Sequence, residues 1–202
     1  MLPRIAWLAV GALGAVLTAV RLQVWLIERA VAVGWLAVVA GLVLGGVGWA
    51  LVLVVGLGFR SLRWIGAILL LAPLVFLVLG YCGTTRYPAQ NFKTPAAASE
   101  WKTLHPTLRQ ALWLMALEDR QLVLTDIARA QSDCDEMGMG LTRVKESLHY
   151  IKDDGYAHAV DLRVSNVGEL RNWARQGLFV LMGLKTRRHL GTADHLHVTL
   201  PG

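Results

Sequence analysis

The first 84 residues contain only six charged side chains: Arg4, Arg21, Glu28, Arg29, Arg60 and Arg63. The remaining 28 charges all fall between residues 85 and 202. A stretch this poor in charge cannot clothe itself for water, because exposed apolar surface costs free energy over its whole area. It breaks into three apolar runs, Ile5 to Val20 with an extension to Ile27, Ala30 to Leu57, and Ile65 to Tyr81. About 20 apolar residues carry a helix across the hydrocarbon layer. Residues 1–84 are therefore expected to form an all-α transmembrane segment of about three helices. The arginines lie at run ends, and Trp7, Trp25, Trp35, Trp49 and Trp64 lie mostly near them, where lipid head groups favour such side chains. A cleaved signal peptide would explain only the first run.

Gly41 and Gly45 stand four apart in the second run, with Gly34 and Gly48 nearby. Small residues at this spacing let helices approach closely in lipid. Packing within the three-helix segment is the simpler reading; a homo-oligomer through this Gly-rich second helix is the sharper one. No acidic residue or histidine sits inside the lipid-buried stretches, which argues against ion transport. Cys82 follows the bulky Tyr81 and makes a poor lipidation site. Cys82 and Cys134 form neither a CxxC pair nor a disulfide framework.

The water-facing part is nearly charge-balanced, +2 of the chain's +6, and lacks the basic stripe of a nucleic-acid binder. Residues 85–99 include YPAQNFKTPAAAS, rich in Pro, Ala and small polar residues, and are expected to be a linker or extended arm. From Glu100 to Leu117 the pattern is helical, with Leu108, Leu112 and Met115 in phase and Pro106 suited to a first turn. Gln121–Thr125 and Ala159–Val164 read as strands and Asp133–Gly140 as a loop. Val167–Leu184 reads as a helix with Leu170, Trp173, Ala174 and Leu178 on one face, and His195–Leu200 as a last strand. Residues 100–202 thus form one small α+β domain.

Three short segments concentrate metal-binding chemistry: Ser147-Leu148-His149, Gly155-Tyr156-Ala157-His158-Ala159-Val160-Asp161, and Asp194-His195-Leu196-His197. A catalytic zinc takes three protein ligands and keeps one position for water. His149, Asp161 and His197 supply two imidazoles and a carboxylate. On a strand, His195 and His197 share a face while Leu196 points to the core. His158 and Asp153 compete with Asp161 for the middle ligand position; alternation turns His158 away from Ala159 and Asp161, which favours Asp161. His105 and His189 read as ordinary histidines.

The order S-x-H, A-x-A-x-D and D-x-L-H resembles the LAS metallopeptidases, which include D-Ala-D-Ala peptidases, L-alanyl-D-glutamate endolysins and the hedgehog fold. The resemblance runs from about Leu104 to Leu200, and Thr125–Arg129 is similar to the strand-plus-arginine segment that precedes S-x-H in that group. It implies a small antiparallel sheet with flanking helices and a Zn2+ ion held by His149, Asp161 and His197. It implies Asp194 as general base, with His195 as the alternative base or oxyanion stabiliser, Arg129 on the substrate carbonyl and Ser147 at the substrate. One departure is plain: twelve residues separate His149 from Asp161 where the family has about seven, so Tyr150–Asp154 reads as an inserted turn.

The implied activity is hydrolysis of peptidoglycan stem or crosslink peptides at the inner membrane. The soluble domain would face the cell wall, as in wall remodelling or phage lysis. The rival expectation is a non-catalytic zinc- or wall-binding domain on a holin-like or scaffold membrane protein.

Overall fold

A computed structural model describes residues 2–29, 34–129, 147–190 and 194–201. The loop expected at Asp133–Gly140, with Cys134, lies outside the described residues. The chain divides into two compact units, Met1–Cys82 and Gly83–Gly202.

The first unit is built from α1 (Leu2–Glu28), α2 (Gly34–Leu57) and α3 (Leu62–Thr85). All three are long and apolar enough to cross a membrane. Ala19, Val38, Leu42 and Phe76 form its buried centre, while leucines and valines such as Leu36, Val55 and Leu70 face outward, as lipid permits. The glycine pair of α2 is used inside this unit. A Cβ on Gly41 would meet the Ala19 carbonyl oxygen at 2.6 Å, and one on Gly45 would meet the Ala19 Cβ at 2.5 Å. Both distances are below van der Waals contact, so only glycine lets α1 and α2 come this close. Gly46 serves α3 in the same way, 2.8 Å from the Pro73 nitrogen in the same construction.

In the second unit, the expected linker is folded. Residues 89–91 form a 3-10 turn and Pro95–Ser99 a short helix, α4, capped by the Thr94 hydroxyl on the Ala97 N–H. Tyr87 stacks on Trp101 with ring centroids 4.7 Å apart, and Phe92 meets both rings edge-on. The Asn91 side chain donates to the Leu122 carbonyl at 2.6 Å. Small-residue composition reads as a linker, but two aromatics, an asparagine and a cap are enough to dock it.

A 3-10 turn over Glu100–Thr103 precedes α5 (Pro106–Glu118). Pro106 occupies its first turn and the His105 ring caps it. The sheet follows: β1 (Leu124–Asp126), β2 (Ala159–Arg163), β3 (Lys185–His189) and β4 (His195–Thr199), with α6 (Glu169–Leu181) between β2 and β3. Its order is β1-β2-β4-β3, antiparallel throughout. The register pairs Val160 with Val198 and Leu162 with Leu196. These four are fully buried, as are Leu108 and Leu112 of α5 and Phe179 of α6. Asp161 and His197 pair on the other face, and with them Arg163 and His195.

Helix α6 departs from the usual placement of an apolar stripe against a core. Asn172, Arg175 and Phe179 face inward, whereas Leu170 and Trp173 are 85% and 69% exposed. The inward polar groups find partners. Arg175 donates to the Asp119 carboxylate at 2.6 Å and to the Arg163 carbonyl at 3.1 Å. Asn172 donates to the Val164 and Val167 carbonyls.

Removing one partner of a buried pair strands the other charge. Asp119→Ala is therefore expected to destabilise the folded unit by about 3–5 kcal/mol, read as a fall in the thermal midpoint of the purified full chain. An unchanged midpoint would show that the pair contributes nothing.

Candidate metal centre

Asp161 sits on β2 between β1 and β4, and its carboxylate meets His149 from the turn that follows β1 in the chain and His195 and His197 from β4. Its Oδ1 lies 2.7 Å from His197 Nδ1 and 3.4 Å from His149 Nε2, and the two imidazole nitrogens are 3.3 Å apart. All three ligand atoms lie within 4.8 Å of one another. His149 and Asp161 are buried and His197 is partly open. The face shared by His195 and His197 is as strand alternation requires: His195 Nε2 approaches the other carboxylate oxygen, Oδ2, at 3.7 Å.

The twelve-residue spacing is absorbed by a closed loop. The His158 N–H donates to the Leu148 carbonyl at 2.8 Å, so the chain returns to its starting point before β2 begins. Within the loop Gly155 takes φ +82°, and the Asp154 carboxylate accepts from the Tyr156 N–H. His149 is fixed independently, since the Arg129 N–H donates to its carbonyl at 3.0 Å. The loop therefore spans the twelve residues without separating His149 from Asp161.

Proton positions favour a cation here. His149 Nδ1 lies 2.9 Å from the Ile127 carbonyl, which can only accept. Nδ1 must carry the proton, and in the neutral ring Nε2 presents a lone pair to the centre. Carbonyl-held imidazoles of this kind are the usual orientation of metal ligands. A lone pair beside a carboxylate is unfavourable unless a proton or a metal ion joins them. Burial opposes charge on both partners. It is outweighed by their mutual hydrogen bond, with His197 adding to Asp161 and the Ile127 carbonyl and Asp126 adding to His149. The result holds Asp161 well below the ordinary carboxylate range and raises His149. Zinc bonds of about 2.0–2.1 Å at tetrahedral angles separate ligands by roughly 3.3 Å. Two of the three distances already match, and the 2.7 Å pair has to open by about 0.6 Å to fit that spacing. The donor set fits a zinc ion.

A second group, His105, Asp154 and His158, also gathers within 4.8 Å, yet its chemistry differs. The Thr107 N–H donates to His105 Nδ1 at 3.2 Å, so the proton is on Nε2 and no lone pair faces the group. Burial, then the neighbouring His158, push His105 down to about 3 and keep it neutral. Asp154 instead accepts from His158 at 2.8 Å, tying the inserted turn to the start of β2. His158 therefore takes part in a clamp apart from the Asp161 centre, and Asp153 is exposed and belongs to neither group.

The other expected site residues are distributed unevenly. Ser147 accepts from the His149 N–H, shaping the turn that presents the ring. Arg129 forks onto Asp126 at 2.7 and 2.9 Å, and Asp126 is cross-strand from Asp161. Asp194 lies one residue out of phase with His195 and is held by Arg188 at 3.0 Å, which also binds Glu169. The structure thus brings His195 to the Asp161 carboxylate and places Asp194 in a separate ion pair.

Strand β3 adds residues that the sequence reading passed over. His189 is paired with His195 and stacks on its ring, centroids 4.7 Å apart and 14° from parallel. Arg187 lies cross-strand from His197, and Arg163 cross-strand from His195. Arg129, Arg171, Arg175 and Arg188 all have carboxylate partners. Arg163 and Arg187 have none among the described residues. The signal for Arg187 and His189 was the period-two pattern Lys185-x-Arg187-x-His189, hidden because a charged pentapeptide does not look like a strand. Comparisons with protein-family models, curated proteins and solved structures find no match to the chain.

The pH dependence follows from these shifts. His149, raised on folding, stabilises the metal-free chain below its unfolded value of about 6.5 and stops doing so as pH rises through its folded value. Asp161, lowered, and His105, lowered, contribute above their unfolded values and lose that contribution in acid. Zinc needs His149 unprotonated. The chelated chain is therefore expected to lose stability on both sides of neutrality, and the gain in melting temperature on adding zinc should be larger at pH 8 than at pH 5.5. Equal gains at both pH values would contradict the ligand assignment of His149.

Proposed function

We propose that the chain is a membrane-anchored zinc peptidase that hydrolyses stem or crosslink peptides of peptidoglycan. The observation that carries this reading is the convergence of one ligating atom each from His149, Asp161 and His197, with a fourth side chain, His195, alongside. A zinc ion held by these three would acidify its bound water and polarise the scissile carbonyl. His195 is the group placed to take a proton at Nε2 and return it to the departing amine, and His189 holds its ring by stacking. Arg129, forked on Asp126, the cross-strand neighbour of Asp161, would supply positive charge for the carbonyl oxygen, where preorganised charge contributes most. Arg163 and Arg187 attract the carboxylates in which such peptides are rich. In this reading Asp194 keeps the β4 entrance in place through Arg188 rather than acting as base. Substrate in the wall requires the second unit to lie outside the cytoplasm, with the N-terminus inside.

A non-catalytic wall- or zinc-binding domain is the second reading, and the capture of Asp194 by Arg188 favours it. The two separate by kinetics. On the peptidase reading, zinc-loaded full chain cleaves purified muropeptides, EDTA and His197→Ala abolish cleavage, and His195→Ala lowers kcat by about 10²–10⁴-fold while zinc stays bound. Asp194→Ala should leave kcat within a few-fold. Muropeptides that bind but stay intact with the zinc-loaded wild type, by mass spectrometry, would decide for the binding domain.

A further inference from the structure

Helix α6 carries its apolar stripe on the outside. Leu170, Trp173, Ala174, Gly177, Leu178 and Leu181 recur at the spacing of one helical face. Leu170 is 85% exposed, Trp173 69% and Leu181 57%. This orientation is fixed from within. Rolling the helix to bury Leu170 and Trp173 would pull Arg175 off Asp119 and Asn172 off the Val164 and Val167 carbonyls, leaving buried polar groups without partners. The stripe therefore stays outside, and its covering must come from beyond the unit.

Two observations identify the covering. The first is chemical. The helix's one acidic residue, Glu169, is paired with Arg188; from Leu170 to Leu181 there is none, and the one exposed charge there is Arg171, which reaches Gln121 and Asp119 at the helix border. Leucine and tryptophan on one face with arginine at the border is the composition of a helix lying in a membrane interface, beside anionic head groups. The second is the tether. Helix α3, the third candidate span, ends at Thr85, and Tyr87 is already stacked on Trp101 within the second unit. Only Arg86 lies between them, a slack of about 3.5 Å. Whatever bilayer α3 crosses, its surface is within immediate reach.

We propose that α6 is an interfacial membrane helix, its Leu170–Trp173–Leu178–Leu181 stripe seated at the headgroup–acyl boundary of the bilayer that α1 to α3 cross. The placement does not depend on the peptidase reading.

The test uses the full chain with Cys82→Ser and Cys134→Ser, one chain per nanodisc of phosphatidylethanolamine and phosphatidylglycerol. Single cysteines at Trp173→Cys, Leu181→Cys and, as a water-facing control, Lys102→Cys each carry a nitroxide spin label. Collision with oxygen, which partitions into lipid, should exceed collision with a water-soluble nickel chelate several-fold at 173 and 181 and fall below it at 102. Labels at 173 and 181 as accessible to nickel as the one at 102 would overturn the proposal. So would shielding at 173 and 181 that arises only with two chains per disc and comes with spin–spin broadening, since a second copy would then be the cover.

Discussion

One buried carboxylate organises the second unit. Asp161 is 6% exposed, and a lone carboxylate at that depth would be neutral, because burial penalises its charge. It stays ionised by facing His149, His197 and His195 at once. Those histidines come from the turn at 147–149 and from β4, so satisfying one charge requires the loop that follows that turn, the sheet register and the Ile127 carbonyl behind His149 together. Slipping β4 by one residue would turn both of its histidines to the core and Leu196 and Val198 to the centre. The hydrophobic face of the sheet and the chemistry of its other face thus enforce the same register.

The two histidine–aspartate groups share a composition and differ in where their protons sit. Each has two imidazoles and a carboxylate within 4.8 Å. What differs is the backbone group behind one ring. A carbonyl behind His149 forces its proton outward and frees the inner nitrogen; an amide behind His105 does the reverse. Proximity alone does not make a ligand set, and the tautomer chosen by a single backbone contact decides which group can hold a cation.

Much of this was legible in the residues. The charge-poor runs marked α1, α2 and α3, and the alternation of His195, Leu196 and His197 placed two imidazoles on one face. The meeting of Asp161 with His149 was harder to see, because twelve residues separate them: the Leu148–His158 hydrogen bond closes the loop, and no periodicity announces such a bond. Strand β3 was missed because its signal is pairing with β4, which acts through space and leaves Lys185–His189 looking like surface. The folded arm at 87–99 was missed because its composition is that of a linker, although its anchors are four individual side chains. On α6 the stripe was visible, but which side faced inward was decided by Asp119, far away in sequence, and by the Val164 and Val167 carbonyls just before the helix.

The single residue between α3 and the first anchored ring of the second unit carries a kinetic consequence. With α3 in a bilayer, everything the second unit touches lies within a layer about as thick as the unit itself, roughly 35 Å for some 120 residues. Encounters with any partner then depend on the number of its groups per unit area of membrane and on lateral diffusion, not on a bulk concentration. A chain built this way samples the stratum next to the lipid exhaustively and never meets the strata above it.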